Sequence, residues 1–217
     1  MVQGMNRLDQ TILTQMINKY PDLQNCIAQI EQAYAMLSQS YRNGGKLLLC
    51  GNGGSAADCE HITGELMKGF NSKRPLSAAR KEQFANLFED GAKLANQLQG
   101  ALPAISLVSQ TALISAVAND IDAEMIFAQQ VYGYGRSGDV LIGLSTSGNS
   151  ANVIQAMKVA KALGMGTIGM TGASGGKMLQ FADVTIRVPW VHTPDIQERH
   201  LPIYHALCLG LEKEFFP

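Results

Sequence analysis

Residues 140–150 read Val-Leu-Ile-Gly-Leu-Ser-Thr-Ser-Gly-Asn-Ser, an apolar run followed at once by a loop of small hydroxyl side chains. The same arrangement occurs earlier, where Leu47–Cys50 leads into Gly51-Asn52-Gly53-Gly54-Ser55. A helix-like segment follows in both places, so each loop is predicted to join a strand to a helix N-terminus. Backbone N–H groups and the positive end of the helix dipole favour anions there. Two such loops indicate a phosphorylated ligand.

Short apolar runs alternate with helix-like segments along most of the chain. Five such runs are predicted strands: Lys46–Cys50, Ala104–Val108, Val140–Leu144, Gly166–Thr171 and Val184–Val188. This alternation is typical of an α/β protein whose parallel sheet is covered on both faces. Ligands of such sheets bind at the carboxyl ends of the strands, where both loops lie.

Helical segments flank this alternating region. Apolar positions at helical spacing predict helices over Leu8–Asn18 and Leu23–Arg42, which form an N-terminal hairpin within residues 1–45. Leu76–Gly100 is polar and helix-prone, and we interpret it as a helical insertion on the surface or over a partner subunit. Pro194–Phe216 is a predicted long amphipathic helix that Pro202 is expected to bend or restart. Residues 1–217 are interpreted as a single domain.

Bulk properties exclude several classes of protein. The chain has 217 residues and a formal net charge of -1, so it lacks the basic character of a nucleic-acid-binding protein. No apolar run approaches the ~18 residues of a membrane span, and Met1–Gly4 does not begin a signal peptide. The cysteines form no C-x-x-C pair and are expected to be reduced, in a cytoplasmic protein. They are Cys26, Cys50, Cys59 and Cys208.

Two predicted helices carry side chains suited to chemistry. His61 and Glu65 are four residues apart and share one helix face, while Gln197 and His205 lie about two turns apart on the last helix. The first pair alone could be an ordinary exposed polar pair. Together the four could hold a divalent metal such as zinc, or act as base and acid on a sugar. His192 is expected near a strand end, and His200 in a solvated position.

The first loop also fits a dinucleotide-binding pattern. Gly51, Gly53 and Ala56 match G-x-G-x-x-A, but the acidic residue expected after the next strand is missing from Ser106–Ser109. A second loop rich in hydroxyl groups suits a sugar phosphate better than a pyrophosphate.

At these residues the chain resembles the sugar isomerase (SIS) domain family, and within it the phosphoheptose isomerase group. The resemblance covers nearly the whole chain apart from residues 76–100. The motifs that carry it are Cys50–Ser55, His61 with Glu65, Ala118–Asp120, Gly138–Leu141, Ser145–Val153, Thr171-Gly172, Gly175–Met178, Ile196–Glu198, His205 and Phe215-Phe216.

The resemblance implies a fold, an assembly and a reaction. The fold would be a three-layer, flavodoxin-like α/β/α sandwich with a five-stranded parallel sheet. The assembly would be a homotetramer with active sites at subunit interfaces. The reaction would interconvert sedoheptulose 7-phosphate and D-glycero-D-manno-heptose 7-phosphate through an enediol.

The resemblance also implies roles for individual residues. Glu65 would be the catalytic base and His205 the acid. One Zn²⁺ per subunit would be held by His61, Glu65, Gln197 and His205. The sugar phosphate would be bound by Asn52, Gly53, Ser55, Asp120, Ser145, Thr146, Ser147, Ser150 and Gln197.

Some positions depart from the family pattern, and other functions stay open. Gly69, with Lys68 beside it, stands where similar isomerases often have arginine, and Pro194 stands where Asp or Thr is usual. These changes leave the exact sugar open, including a different ketose phosphate. A non-catalytic phosphosugar sensor or scaffold is the alternative. We favour the enzyme, because a chain without catalysis has no need for all four of the proposed zinc ligands.

Overall fold

A computed structural model of the protein describes residues 7–217, and the expectation about Met1–Gly4 lies outside this range. The central element is a five-stranded sheet in the order β2-β1-β3-β4-β5, with every neighbouring pair parallel. The strands are β1 (Leu47–Gly51), β2 (Ala104–Ser106), β3 (Val140–Leu144), β4 (Gly166–Thr171) and β5 (Val184–Arg187). All five predicted strands are confirmed.

Nine α-helices are found in the described part of the chain. They are α1 (Gln10–Lys19), α2 (Ile27–Arg42), α3 (Gly54–Met67), α4 (Ala78–Leu87), α5 (Gly91–Gln97), α6 (Thr111–Asp120), α7 (Ile126–Tyr134), α8 (Ala151–Ala162) and α9 (Thr193–Phe215). Residues 21–26, 123–125 and 176–180 form 3₁₀ turns. None of the helices in residues 7–217 is long and apolar enough to cross a bilayer.

The two faces of the sheet bury separate cores, as alternation along the strands requires. Leu47 and Leu49 of β1 pack into one core with side chains of α1, α2, α3 and α9. Leu48 and Cys50 point to the opposite face and pack with α7 and α8. The predicted three-layer α/β/α sandwich is thereby confirmed. The four cysteines are free and buried.

The structure corrects the start of one predicted helix and rules out a restart in another. The segment from Leu23 begins as a 3₁₀ turn, and the α-helix starts only at Ile27. Helix α9 runs without restart through Pro202. A proline inside a helix costs one backbone hydrogen bond, about 3 kcal/mol. Here the flanking turns are held by buried neighbours such as Ile203 and Tyr204, whose packing offsets that cost.

The insertion is helical, as predicted, and consists of α4 and α5. An isolated bridge between Pro75 and Gln99 closes its base. Helix α4 buries no residue, and α5 buries only Gly91 and Ala95. The hairpin therefore projects from the sandwich and adds little to its core.

Candidate active site

The loop after β3 presents the hydroxyl groups that the sequence predicted. The Oγ atoms of Ser145 and Ser150 lie 2.9 Å apart, and the Ser147 Oγ accepts the backbone N–H of Asn149 at 3.1 Å. Ser150 is the N-cap of α8 but makes no side-chain cap hydrogen bond. The first turn of α8 therefore keeps backbone donors that an anion can use.

A second loop, after β4, supports the first. The carbonyl oxygen of Thr146 accepts the Gly172 N–H at 3.0 Å, and Asn149 Oδ1 accepts the Lys177 N–H at 3.0 Å. Gly148 has φ +65°, and a Cβ there would collide with the Gly175 carbonyl oxygen. Only glycine allows both this φ and this close approach.

The loop after β1 lies beside the serine loop, because β1 and β3 are neighbours. Asn52 exchanges two side-chain hydrogen bonds of 2.9 Å with Asn152, in the first turn of α8. Gly53 has φ +57° and precedes α3 without a side-chain cap, and Ser55 is buried in the first turn. The two predicted loops thus form one polar surface at the carboxyl edge of the sheet.

A second cluster lies where α3 and α9 run side by side. His61 Nε2 is 3.1 Å from Glu65 Oε1 and 3.5 Å from His205 Nε2. The rings of His61 and His205 meet edge to face at 5.0 Å, and Phe70 covers His205 at 5.2 Å. The structure therefore places His61 in contact with both Glu65 and His205, which are three of the four side chains predicted to carry the chemistry.

The surroundings of this cluster affect its charge states. Burial, together with the neighbouring His61, lowers the pKa of His205. Glu65 Oε2 is buried without a hydrogen-bond partner in the described residues, and its nearest cation is Lys68 Nζ at 3.6 Å.

The departure from the family pattern at Gly69 has a local cause. A side chain at Gly69 would collide with the Ser72 carbonyl oxygen, so the local backbone requires glycine there.

Not every predicted site residue joins this cluster. The Gln197 amide lies against Gly54 at the start of α3, with no hydrogen bond to either histidine or to Glu65. Asp120 is exposed at the end of α6, where it accepts a hydrogen bond from Asn119. Within one chain, these two side chains stay apart from the His61 contacts.

The two remaining histidines differ from one another. His192 is exposed at the N-cap of α9, close to the end of β5, as predicted. The expectation that His200 is solvated was wrong, because its side chain is fully buried. Burial lowers its pKa to about 4. His200 therefore packs as a neutral side chain.

The sequence does not indicate which residues hold the helices of the site together. Arg74 is fully buried, donates to the carbonyl oxygens of Glu65 and Leu66, and pairs with Glu212 at 2.8 Å. The Glu212 carboxylate also accepts the backbone N–H groups of residues 70–72. This network fixes the end of α3, which carries Glu65, against α9, which carries His205. Such pairings join distant segments and leave no local pattern.

The donor atoms of the cluster, imidazole nitrogen and carboxylate oxygen, are of types that zinc accepts. A tetrahedral zinc with bonds of 2.0–2.1 Å separates its ligand atoms by roughly 3.3 Å, close to both contacts of His61 Nε2. Among residues 7–217, no group of three or more His, Cys, Asp or Glu side chains is arranged so that it could hold a metal ion. Both contacts of His61 Nε2 have about the length of such an edge, but no hydrogen bond or ion pair joins Glu65 to His205 in the described structure.

The loops after β1 and β3, and the cluster of His61, Glu65 and His205, lie on the fold of a known family. The sequence model of the SIS domain matches residues 23–80 and 77–172. The chain therefore belongs to the SIS domain family.

More similar proteins identify a group within this family. The chain is 40% identical to the phosphoheptose isomerase of Rhodospirillum rubrum over 86% of each chain. The structure of phosphoheptose isomerase from Neisseria gonorrhoeae is 33% identical, with a TM-score of 0.72 over 94% of this chain and 96% of that one. That of Francisella tularensis is 31% identical, with a TM-score of 0.75 over 94% and 95%. This chain belongs to the phosphoheptose isomerases.

Proposed function

We propose that the protein interconverts sedoheptulose 7-phosphate and D-glycero-D-manno-heptose 7-phosphate. The observation that carries this proposal is the contact of His61 with both Glu65 and His205. A carboxylate and an imidazole a few ångströms apart can remove a proton from carbon and supply one to oxygen. The names of the similar proteins support the seven-carbon substrate.

The reaction follows from these groups. The serine loop binds the phosphate through Ser145, Thr146, Ser147 and Ser150, with Asn52, Gly53 and Ser55 beside the sugar chain. Glu65 takes a proton from C1 of the ketose while His205 gives one to the C2 oxygen, which yields an enediol. Loss of the O1 proton and return of a proton to C2 complete the aldose. Anchoring the phosphate converts binding energy into orientation at the reacting carbons.

A zinc ion is part of the proposal. His61, Glu65 and His205 would hold it, with Gln197 as the fourth ligand, one ion per subunit. When bound, such an ion stabilises negative charge on the enediol oxygens as a Lewis acid. The buried Glu65 Oε2, which lacks a hydrogen-bond partner among the described residues, supports a cation here. Metal analysis of purified protein should find about one zinc per chain; metal-free protein with full activity would contradict this.

We also propose a homotetramer whose sites lie between subunits. Glu65 follows Gly54 by eleven residues, so it lies about 16 Å along α3 from the anion loops. An open seven-carbon sugar phosphate spans roughly 10 Å, given bonds of about 1.5 Å. Because the ligand is shorter than this separation, a partner subunit would supply part of each site, with Asp120 among the groups it contributes. Exposed apolar side chains on and beside α6, such as Leu113 and Ile121, support such packing.

We also propose a cytoplasmic location, which the four free, buried cysteines suit.

The direct test is conversion of sedoheptulose 7-phosphate by purified protein, followed by NMR of the aldose formed. We expect turnover that responds to zinc. Binding of this sugar phosphate without turnover would support the phosphosugar sensor or scaffold instead. Turnover of another ketose phosphate in preference to this one would keep the enzyme class and replace the substrate.

A further inference from the structure

The side chain of Tyr204, a residue of α9, packs against α3 directly beside the proposed zinc ligands. Its side chain is buried, and its hydroxyl oxygen lies 3.1 Å from Asp58 Oδ1 and 3.0 Å from His61 Nδ1. His61 therefore contacts Tyr204 through one ring nitrogen and faces Glu65 and His205 through the other.

The number of protons in this chain of contacts determines the direction of each hydrogen bond. A tyrosine hydroxyl has a single proton, while an ionised carboxylate can only accept. The Tyr204 hydroxyl donates its proton to Asp58 Oδ1 in the structure. The Tyr204 oxygen is then left to accept, so His61 Nδ1 must carry the proton of the neutral imidazole.

This assignment determines what His61 presents to the cluster. With the proton on Nδ1, Nε2 carries a lone pair that points toward Glu65 Oε1 and His205 Nε2. The Glu65 carboxylate has only lone pairs to offer, so it and the Nε2 lone pair repel unless a cation lies between them. The opposite tautomer would place an N–H in the same position and block coordination by His61.

We infer that Tyr204, supported by Asp58, is a positioning residue that fixes His61 in the Nδ1–H tautomer and so prepares Nε2 for a divalent metal. The inference builds on the zinc site proposed above. Outer groups of this kind commonly change metal affinity by 10–100-fold. Tyr204 touches neither the sugar nor the metal in this account, and it acts only through His61.

The first test measures the tautomer without any substitution. Nitrogen NMR of the metal-free protein with ¹⁵N-labelled histidine, recorded at about pH 8, reports which ring nitrogen carries the proton. The His61 signal is assigned by its loss in His61→Gln. We expect a protonated Nδ1. A protonated Nε2 in the wild-type protein would overturn the inference.

The second test uses Tyr204→Phe, which removes the hydroxyl and keeps the ring. Zinc affinity, measured by competition with a chromophoric chelator, should fall 10–100-fold, and the His61 signal should shift toward the Nε2–H form. Tyr132→Phe is the matched control, since Tyr132 is exposed on α7. Unchanged affinity and unchanged tautomer in Tyr204→Phe would overturn the inference.

These outcomes are separable from failure of the proposed function. If the wild-type protein does not isomerise the heptulose phosphate but Tyr204→Phe still alters the tautomer and the zinc affinity, the positioning role stands and the reaction assignment falls. If Tyr204→Phe does not fold, the tautomer of the wild-type protein alone decides.

Discussion

The side chains of Asn52 and Asn152 exchange two hydrogen bonds, each 2.9 Å long, across the carboxyl edge of the sheet. Asn52 follows β1, and Asn152 lies in the first turn of α8. A reciprocal amide pair uses one donor and one acceptor of each partner, and so fixes the orientation of both. Each amide keeps a second N–H. The pair therefore couples the β1 loop, which lies along the sugar, to the proposed phosphate site.

Removal of this pair should weaken substrate binding. We expect Asn152→Ala to raise KM for the sugar phosphate about tenfold, equivalent to ~1.4 kcal/mol, with kcat nearly unchanged. The reason is that Asn52 loses the partner that orients it, while Glu65 and His205 keep their contacts. Asn43→Ala, on an exposed residue before β1, is the control for loss of an amide. A KM within twofold of wild type would refute the coupling.

The serine loop should tolerate no side chain at Gly148. Gly148→Ala places a Cβ against the Gly175 carbonyl oxygen at φ +65°, a conformation that costs an L-residue about 1–2 kcal/mol before any collision. We expect lower thermal stability together with weaker phosphate binding. Gly133→Ala is the matched control, because Gly133 lies exposed in α7 and an added Cβ would meet no other atom within 4 Å, so the substitution should be neutral or slightly stabilising. Equal melting temperatures for both variants would contradict this expectation.

The buried Arg74–Glu212 pair should control stability in acid. Burial by itself raises the pKa of the Glu212 carboxyl, but the N–H groups of Phe70 and Asn71 and the Arg74 guanidinium outweigh it, so the pKa lies below 4.5. Because the folded-state pKa is below the unfolded one, ionised Glu212 stabilises the fold above about pH 4.5. That stabilisation disappears as the pH falls through the folded-state pKa.

Glu212→Gln tests this account by denaturant unfolding at several pH values. At neutral pH it should lower the free energy of unfolding by about 3–5 kcal/mol, because Arg74 stays buried without its counter-charge. The difference from wild type should shrink below about pH 4.5. Glu82→Gln, on the exposed face of α4, should change little. A deficit that persists undiminished in acid would contradict the assignment.

The sheet and its loops could be predicted because their signals are local. Side chains of apolar runs such as Val140–Leu144 pack into both cores, and such continuous apolar runs predict buried strands. The small residues of Ser145–Ser150, directly after this run, predict the loop. The i, i+4 spacing of His61 and Glu65 likewise places both on one helix face. What a single element determines was therefore accessible from the sequence.

The errors and omissions concern contacts between elements. Nothing near His200 shows that its side chain is buried, and nothing near Pro202 shows that tertiary packing carries the helix through it. Tyr204 reads as an ordinary core residue until its hydroxyl is seen between Asp58 and His61. The position of Gln197 over Gly54 depends on how α9 lies against α3, which no local pattern encodes.

The central claim is that Glu65 moves the carbon-bound proton of the sugar. The most direct measurement is incorporation of solvent deuterium into sedoheptulose 7-phosphate in D₂O, comparing wild type with Glu65→Gln. We predict exchange at C1 in the wild-type protein and a loss of about 10²–10⁴-fold in Glu65→Gln, with phosphosugar binding retained. Exchange in Glu65→Gln at a rate near that of wild type would contradict the assignment of Glu65 as the base.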